Sequence, residues 1–289
     1  MTIPFDRDSF QTVMKPMLSM AHLSLEYENI ESTITKVCYE MEDRFGSETF
    51  TQITWDAAGK DLLQRSVLHF ALYHHIIYTI ANISNDGVTV TKSEDKTTIY
   101  KYQQDQLEEQ LLQDAWFWLN RLIRYLNEHP DIFPAWTDSE ERKALDALPI
   151  TISDFERYVG VSDPAFLLFA GWIVREVIRD HILSRQTAET ELTDLQRQAI
   201  CYEVMARACH RLAFHALPSP IRIDINNEMG KNHAAQADST IRQFVSKQFA
   251  DKAIGYWQAV DAEWQRQASE QAATYTGSRP LTEHDKFVF

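Results

Sequence analysis

Ten histidines, three cysteines and 42 acidic residues are the raw material for chemistry in this 289-residue chain. A metal site on one helix needs His or Glu at i and i+3 or i+4, as in HExxH or ExxH, so that both ligands leave one face. Neither motif occurs. His69, His74 and His75 share one predicted helix, and His210 and His215 another. His69 and His74 are five apart, as are His210 and His215, which puts each pair on diverging faces. These side chains are expected to be partly buried and satisfied by backbone or solvent. The thiols offer no nucleophile either. Cys201 and Cys209 lie eight apart, too far for a shared metal, and His210 points about 100° away from Cys209 around a helix. The odd number of cysteines, with Cys38, suits reduced thiols in the cytoplasm. Carboxylates such as Glu26, Glu28, Glu31, Glu108, Glu109, Glu140 and Glu141 fall among polar residues, as on solvated helix faces. No GxSxG, P-loop or GxGxxG is present, and there are only 8 glycines. The expectation is a protein that is not an enzyme and holds neither cofactor nor metal. A site assembled from distant residues is the alternative.

Composition narrows the partners. A net charge of −14 disfavours a polyanion-binding surface and hence sequence-specific nucleic-acid binding. The start, MTIPFDRDSF, lacks the pattern of a signal peptide, and the most apolar window, Phe166–Ile173, is too short to span a bilayer. The 44% hydrophobic content supplies a sizeable core. Trp116, Phe117 and Trp118 cover more than one helix face, as do Tyr256, Trp257 and Trp264, so part of this bulk should meet a second surface. Trp116, Trp118 and Trp257 are therefore candidate partner-binding residues. The tail ends in Phe287, Val288 and Phe289, which are expected to order on a neighbouring subunit, with the two phenylalanines on one side of an added strand.

Helices must position these residues. Apolar residues recur at Ile30, Ile34, Val37, Met41 and Phe45, with Gly46 placed to stop the run. A second helix is predicted over 56–83, ending at Ser84-Asn85-Asp86-Gly87. Val88–Val90 and Thr97–Tyr102 then read as a hairpin around a turn at 93–96, and a long helix covers 103–127. Three prolines between 128 and 149 mark a linker. Beyond it come helices over 164–184 and 191–216, an alternating Ile221-Arg-Ile223-Asp-Ile225 read as a strand, and a helix over 235–271.

The halves repeat one plan. Leu63, Val67, Phe70, His74, Ile77 and Ala81 correspond, 132 residues on, to Leu195, Ala199, Tyr202, Ala206, Cys209 and Ala213. Leu107, Leu111, Ala115, Leu119, Leu122 and Leu126 correspond, 134 on, to Ile241, Val245, Phe249, Ala253, Tyr256 and Val260. The offset changes only at loops. The fold class expected is mainly α: two tandem duplicated helical units, each with a short β-hairpin or strand between two long helices. Residues 1–135 form the first unit, 136–149 the proline-containing linker, 150–271 the second unit and 272–289 a flexible tail.

The recurring unit reads Leu72–Asn82, then Ser84-Asn85-Asp86-Gly87-Val88, then Tyr102-Gln-Gln-Asp-Gln-Leu107, with Phe133–Trp136 after the long helix and Phe155–Asp163 leading the second half. This pattern resembles uncharacterised virion-type proteins of tailed phages and prophages of Bacteroidetes. The resemblance implies a head–tail connector or neck component, similar in plan to the helical adaptors that form rings below the portal. Its partners would be further copies of itself and other virion proteins such as portal or tail components, and it would reside in the virion after assembly in the host cytoplasm. The second half departs from the pattern, with Leu217-Pro-Ser-Pro220 at the turn. The competing classes are a cytoplasmic helical enzyme or small-ligand binder with a site between the repeats, and a scaffold working through helix contacts.

Overall fold

In the computed structural model, residues 4–5, 7–8, 10–17, 26–84, 87–90, 101–183, 185, 191–231 and 238–276 are described. The chain is mainly helical. After α1 (Phe10–Met17), α2 (Tyr27–Phe45) buries Ile30, Ile34, Val37, Met41 and Phe45, the stripe the three-and-four spacing predicts. Gly46 breaks it with a φ of 81°, a conformation that favours glycine, and α3 (Ser47–Trp55) starts at once. α4 (Ala57–Ile80) packs on α2 and, more extensively, on α5 (Lys101–Glu128). Leu63, Val67 and Phe70 of α4 are buried, as are Leu111, Leu119, Leu122 and Leu126 of α5. The Ser66 hydroxyl crosses this seam and donates to the Ala115 carbonyl at 3.2 Å.

Between α4 and α5, β1 (Ala81–Ser84) pairs antiparallel with β2 (Gly87–Val90), Ala81 opposite Val90 and Ser84 opposite Gly87. The partner of 87–90 is thus 81–84, not the expected strand at 97–102 beyond a turn at 93–96. Residues 91–100, where most of the second expected strand falls, lie outside the described residues, and Tyr102 is already in α5.

The stretch expected as a linker is helical. α6 (Pro134–Asp138) has proline in its first turn and buries Trp136, and it packs on α3 and on α7 (Glu140–Asp146). Ser139 caps α7 by accepting from the Arg142 amide at 3.0 Å. Next come α8 (Ile152–Val159), closed by Gly160 in the left-handed region, and α9 (Pro164–His181). A reciprocal box opens α10 (Asp194–Arg211): the Thr193 amide donates to Gln196 at 2.9 Å, and the Gln196 amide donates to the Thr193 hydroxyl at 3.3 Å.

After a 3₁₀ turn, Phe214–Ala216, the predicted strand at 221–225 is corrected: these residues lie in α11 (Ser219–Lys231). Pro220 sits in the first turn, where its missing N–H costs nothing. Ile221 and Ile225, four apart, are both buried while Ile223 is exposed, which is the outcome a helix gives. α12 (Asp238–Thr276) is 39 residues long, about 58 Å at 1.5 Å per residue. It packs on α10, burying Ile241, Val245, Ala253 and Val260, and the Ser246 hydroxyl donates to the Ala206 carbonyl at 2.9 Å.

The chain divides into two units. One comprises residues 1–148, 161–172 and 213–219, the other 149–160, 173–212 and 220–289. Each is built around one long helix pair, α4 with α5 in the first and α10 with α12 in the second.

Candidate functional site

Three polar side chains of the first unit converge from distant segments. Glu40 stands at the edge of the buried stripe of α2, three residues on from Val37. His74 continues the face of α4 that carries Val67 and Phe70. His215 is delivered by the 3₁₀ turn, whose last residue Ala216 and following Leu217 are buried. The Trp116 indole donates to the His215 carbonyl at 2.8 Å and so fixes the turn's backbone. One nitrogen from each imidazole and one Glu40 oxygen all lie within 4.8 Å of one another. His215 Nε2 is 3.9 Å from Glu40 Oε2, and the imidazoles meet edge-to-face with centroids 4.8 Å apart. Phe70 closes one side of the His215 ring at 6.2 Å.

His74 Nε2 is buried and has no hydrogen-bond partner. A buried polar atom left without one is uncommon. Burial, and secondarily the Lys36 ammonium, push the His74 pKa down to about 4, so the ring is neutral at pH 7 and keeps a lone pair. The Lys36 ammonium is 3.9 Å from Glu40 Oε1, the carboxylate oxygen not shared with His215. Two imidazoles and a carboxylate are a donor set suited to a zinc-class ion.

The cysteines and the remaining histidines of α4 and α10 form no comparable cluster among the described residues. Cys38, Cys201 and Cys209 are free and buried, and burial raises the pKa of all three, to about 12 for Cys38 and Cys209. They are thiols at neutral pH, without the thiolate a nucleophile needs. His69 is buried and its Nδ1–H donates to the Arg65 carbonyl at 2.6 Å. His210 is exposed at the end of α10.

The expected partner-binding aromatics divide. Trp116 is buried against Phe169 at 5.5 Å, and its N–H is taken by His215. Trp257 is buried, stacks on His181 at 4.3 Å and donates to Glu203 at 2.6 Å. Both serve their own units. Trp118 is half-exposed, with the Arg65 guanidinium 4.7 Å over its ring and Phe117 edge-on at 5.0 Å. Phe287, Val288 and Phe289 lie outside the described residues. Phe117, from the same aromatic run, is 50% exposed, and two aromatics outside the expected runs are exposed as well: Trp55 at the end of α3 at 79% and Tyr39 at 54%.

In the second unit, Arg207 holds Glu176 at 2.6 Å, Asp180 at 2.9 Å and Glu203, while Arg211 reaches Glu176 at 2.5 Å. Every carboxylate here has a cationic partner, and the network reads as structural. No described helix is long and apolar enough to cross a membrane.

Residues 16–144 match a family of unknown function, DUF6712. That stretch includes Glu40 and His74 but ends before His215. No curated protein and no solved structure matches the chain.

Proposed function

We propose that this chain is a structural component of a tailed-phage particle, a head–tail connector or neck protein that forms a ring with copies of itself. It works by protein–protein contact and not by catalysis. The observation that carries this reading is the aromatic surface: Trp55, Tyr39 and Phe117 stand in solvent, where large aromatic side chains favour a partner. The sequence resemblance to phage virion proteins supplies the setting. A net charge of −14 is compatible with a ring that lets DNA pass without gripping it.

The paired helices support a common origin for the two units. Leu63, Val67 and Phe70 match Leu195, Ala199 and Tyr202, and the buried stripe of α5 matches that of α12 in phase. We infer that the duplicated element is the helix pair, with β1–β2 in one copy and α11 in the other occupying the intervening stretch.

Single replacements Trp55→Ser and Phe117→Ser test the surface. Exposed positions of this kind change a protein's own stability by about 0.5 kcal/mol or less. An interface anchor costs about 1–2 kcal/mol or more, roughly tenfold or greater in assembly constant. Analytical ultracentrifugation of each variant is expected to show weakened self-association at an unchanged melting temperature. Undiminished assembly in both variants contradicts the assignment of this surface.

A further inference from the structure

We propose that Glu40, His74 and His215 bind one divalent transition-metal ion of the zinc class, through one nitrogen of each imidazole and a Glu40 carboxylate oxygen. The donor types are those that zinc, cobalt(II) and nickel(II) share. Zinc bonds of about 2.0–2.2 Å in a tetrahedron place neighbouring ligand atoms roughly 3.3 Å apart. The three donors now lie within 4.8 Å of one another, so each moves inward by about an ångström or less on closing around an ion. The Glu40 side chain is half-exposed on α2 and can close this distance, and His215 follows by rotation of its own side chain while the turn's backbone stays held.

One further observation points to a ligand, and a second fixes the position of its neighbour. His74 Nε2 is buried and without a partner, and a metal bond would give it one. The Trp116 indole holds the His215 carbonyl, so the turn's backbone is oriented from outside the donor set. Lys36 is an opposing charge beside the cluster. Its side chain is mostly solvent-exposed and swings clear at little cost. Three protein ligands leave a fourth position for water.

The ion's effect would be to fasten distant chain. His74 is 34 residues from Glu40, and His215 a further 141 away, so one ion ties the segment 213–219 to α2 and α4. Closing long loops in this way removes freedom from the unfolded chain.

The test uses the full chain stripped with a chelator and titrated with cobalt(II), then with zinc as competitor. The expected result is one equivalent of cobalt at a Kd of about micromolar or tighter, visible absorption of a low-coordinate ion, and displacement by zinc. At free zinc about 100 times Kd, the folded state gains roughly 100-fold over the unfolded state, and the melting temperature rises. His74→Ala and Glu40→Gln should each weaken binding by roughly 100-fold or more, exceeding the roughly 10–100-fold of an outer-shell loss. His210→Ala, at an exposed position, should bind as wild type. Glu40→Gln is nearly isosteric and half-exposed, so it decides the matter if His74→Ala fails to fold. Absence of a stoichiometric site, or binding unchanged in Glu40→Gln, overturns the proposal.

Discussion

Trp136→Ala is expected to destabilise the first unit by about 3–5 kcal/mol, the range for truncating a fully buried large aromatic. Trp136 is 1% exposed and meets the Phe45 ring edge-on at 5.6 Å. Its indole donates to Asn127 at 3.0 Å. Next to it, the Ala135 amide donates to Gln52 of α3 at 3.2 Å, so α6 is tied to α3 by backbone as well as by packing. A helix of five residues has no stability of its own, and it persists because this side chain anchors it. Trp136→Phe keeps most of the apolar area and loses the one hydrogen bond that the indole donates to the exposed Asn127, a cost of about 1 kcal/mol. Urea denaturation followed by tryptophan fluorescence and by circular dichroism measures both. A loss below about 1 kcal/mol for the alanine variant, far under the usual cavity cost, would mean that α6 is a loosely attached connector after all.

Arg207→Met should cost the second unit about 2–3 kcal/mol at pH 7, short of the roughly 3–5 kcal/mol for breaking a fully buried pair because solvent screens the site. Arg207 is 20% exposed and is the cation shared by all three carboxylates; without it Glu176 keeps Arg211, Asp180 keeps Arg179, and Glu203 keeps His181 and the Trp257 indole. A hydrogen bond from Arg211, with the charges of Arg211 and Arg207, holds Glu176 below its ordinary pKa. A hydrogen bond from Arg207 does the same, foremost, for Asp180. Carboxylates depressed in the folded state stabilise it above their unfolded values, near 4, and lose that contribution as pH falls through the folded ones. Wild-type stability should therefore drop on acidification below about pH 4, and Arg207→Met should flatten that drop. Equal acid sensitivity of the two proteins would show that Arg207 does not set these protonations.

Residues that act through their neighbours on one helix were legible in the sequence. The stripes of α2, α4, α5 and α12 follow directly from apolar residues three and four apart. Ile221-Arg-Ile223-Asp-Ile225 was not decidable by period, since alternation and i, i+4 spacing select the same outer isoleucines. Pro220 behind Ser219 was the local signal for a helix start there. The prolines around 130–149 looked like a connector because proline punctuates, yet Pro134 opens α6 and Trp136 pins it. The Glu40–His74–His215 cluster was invisible to any test of helical ligand spacing. Its members come from two helices and a 3₁₀ turn, and only tertiary packing puts the turn beside α4. Among the aromatics, type alone could not separate Trp116 and Trp257, whose indole N–H groups are used inside, from Phe117 and Trp55, which face water.

Self-assembly is the property on which the proposed function stands or falls. Light scattering of the purified full chain across a concentration series, with negative-stain electron microscopy of the same samples, tests it most directly. The expected result is a discrete homo-oligomer several times the 33.6 kDa chain mass that images as closed rings. A mass of one chain at every concentration, with no ring in the images, would contradict it.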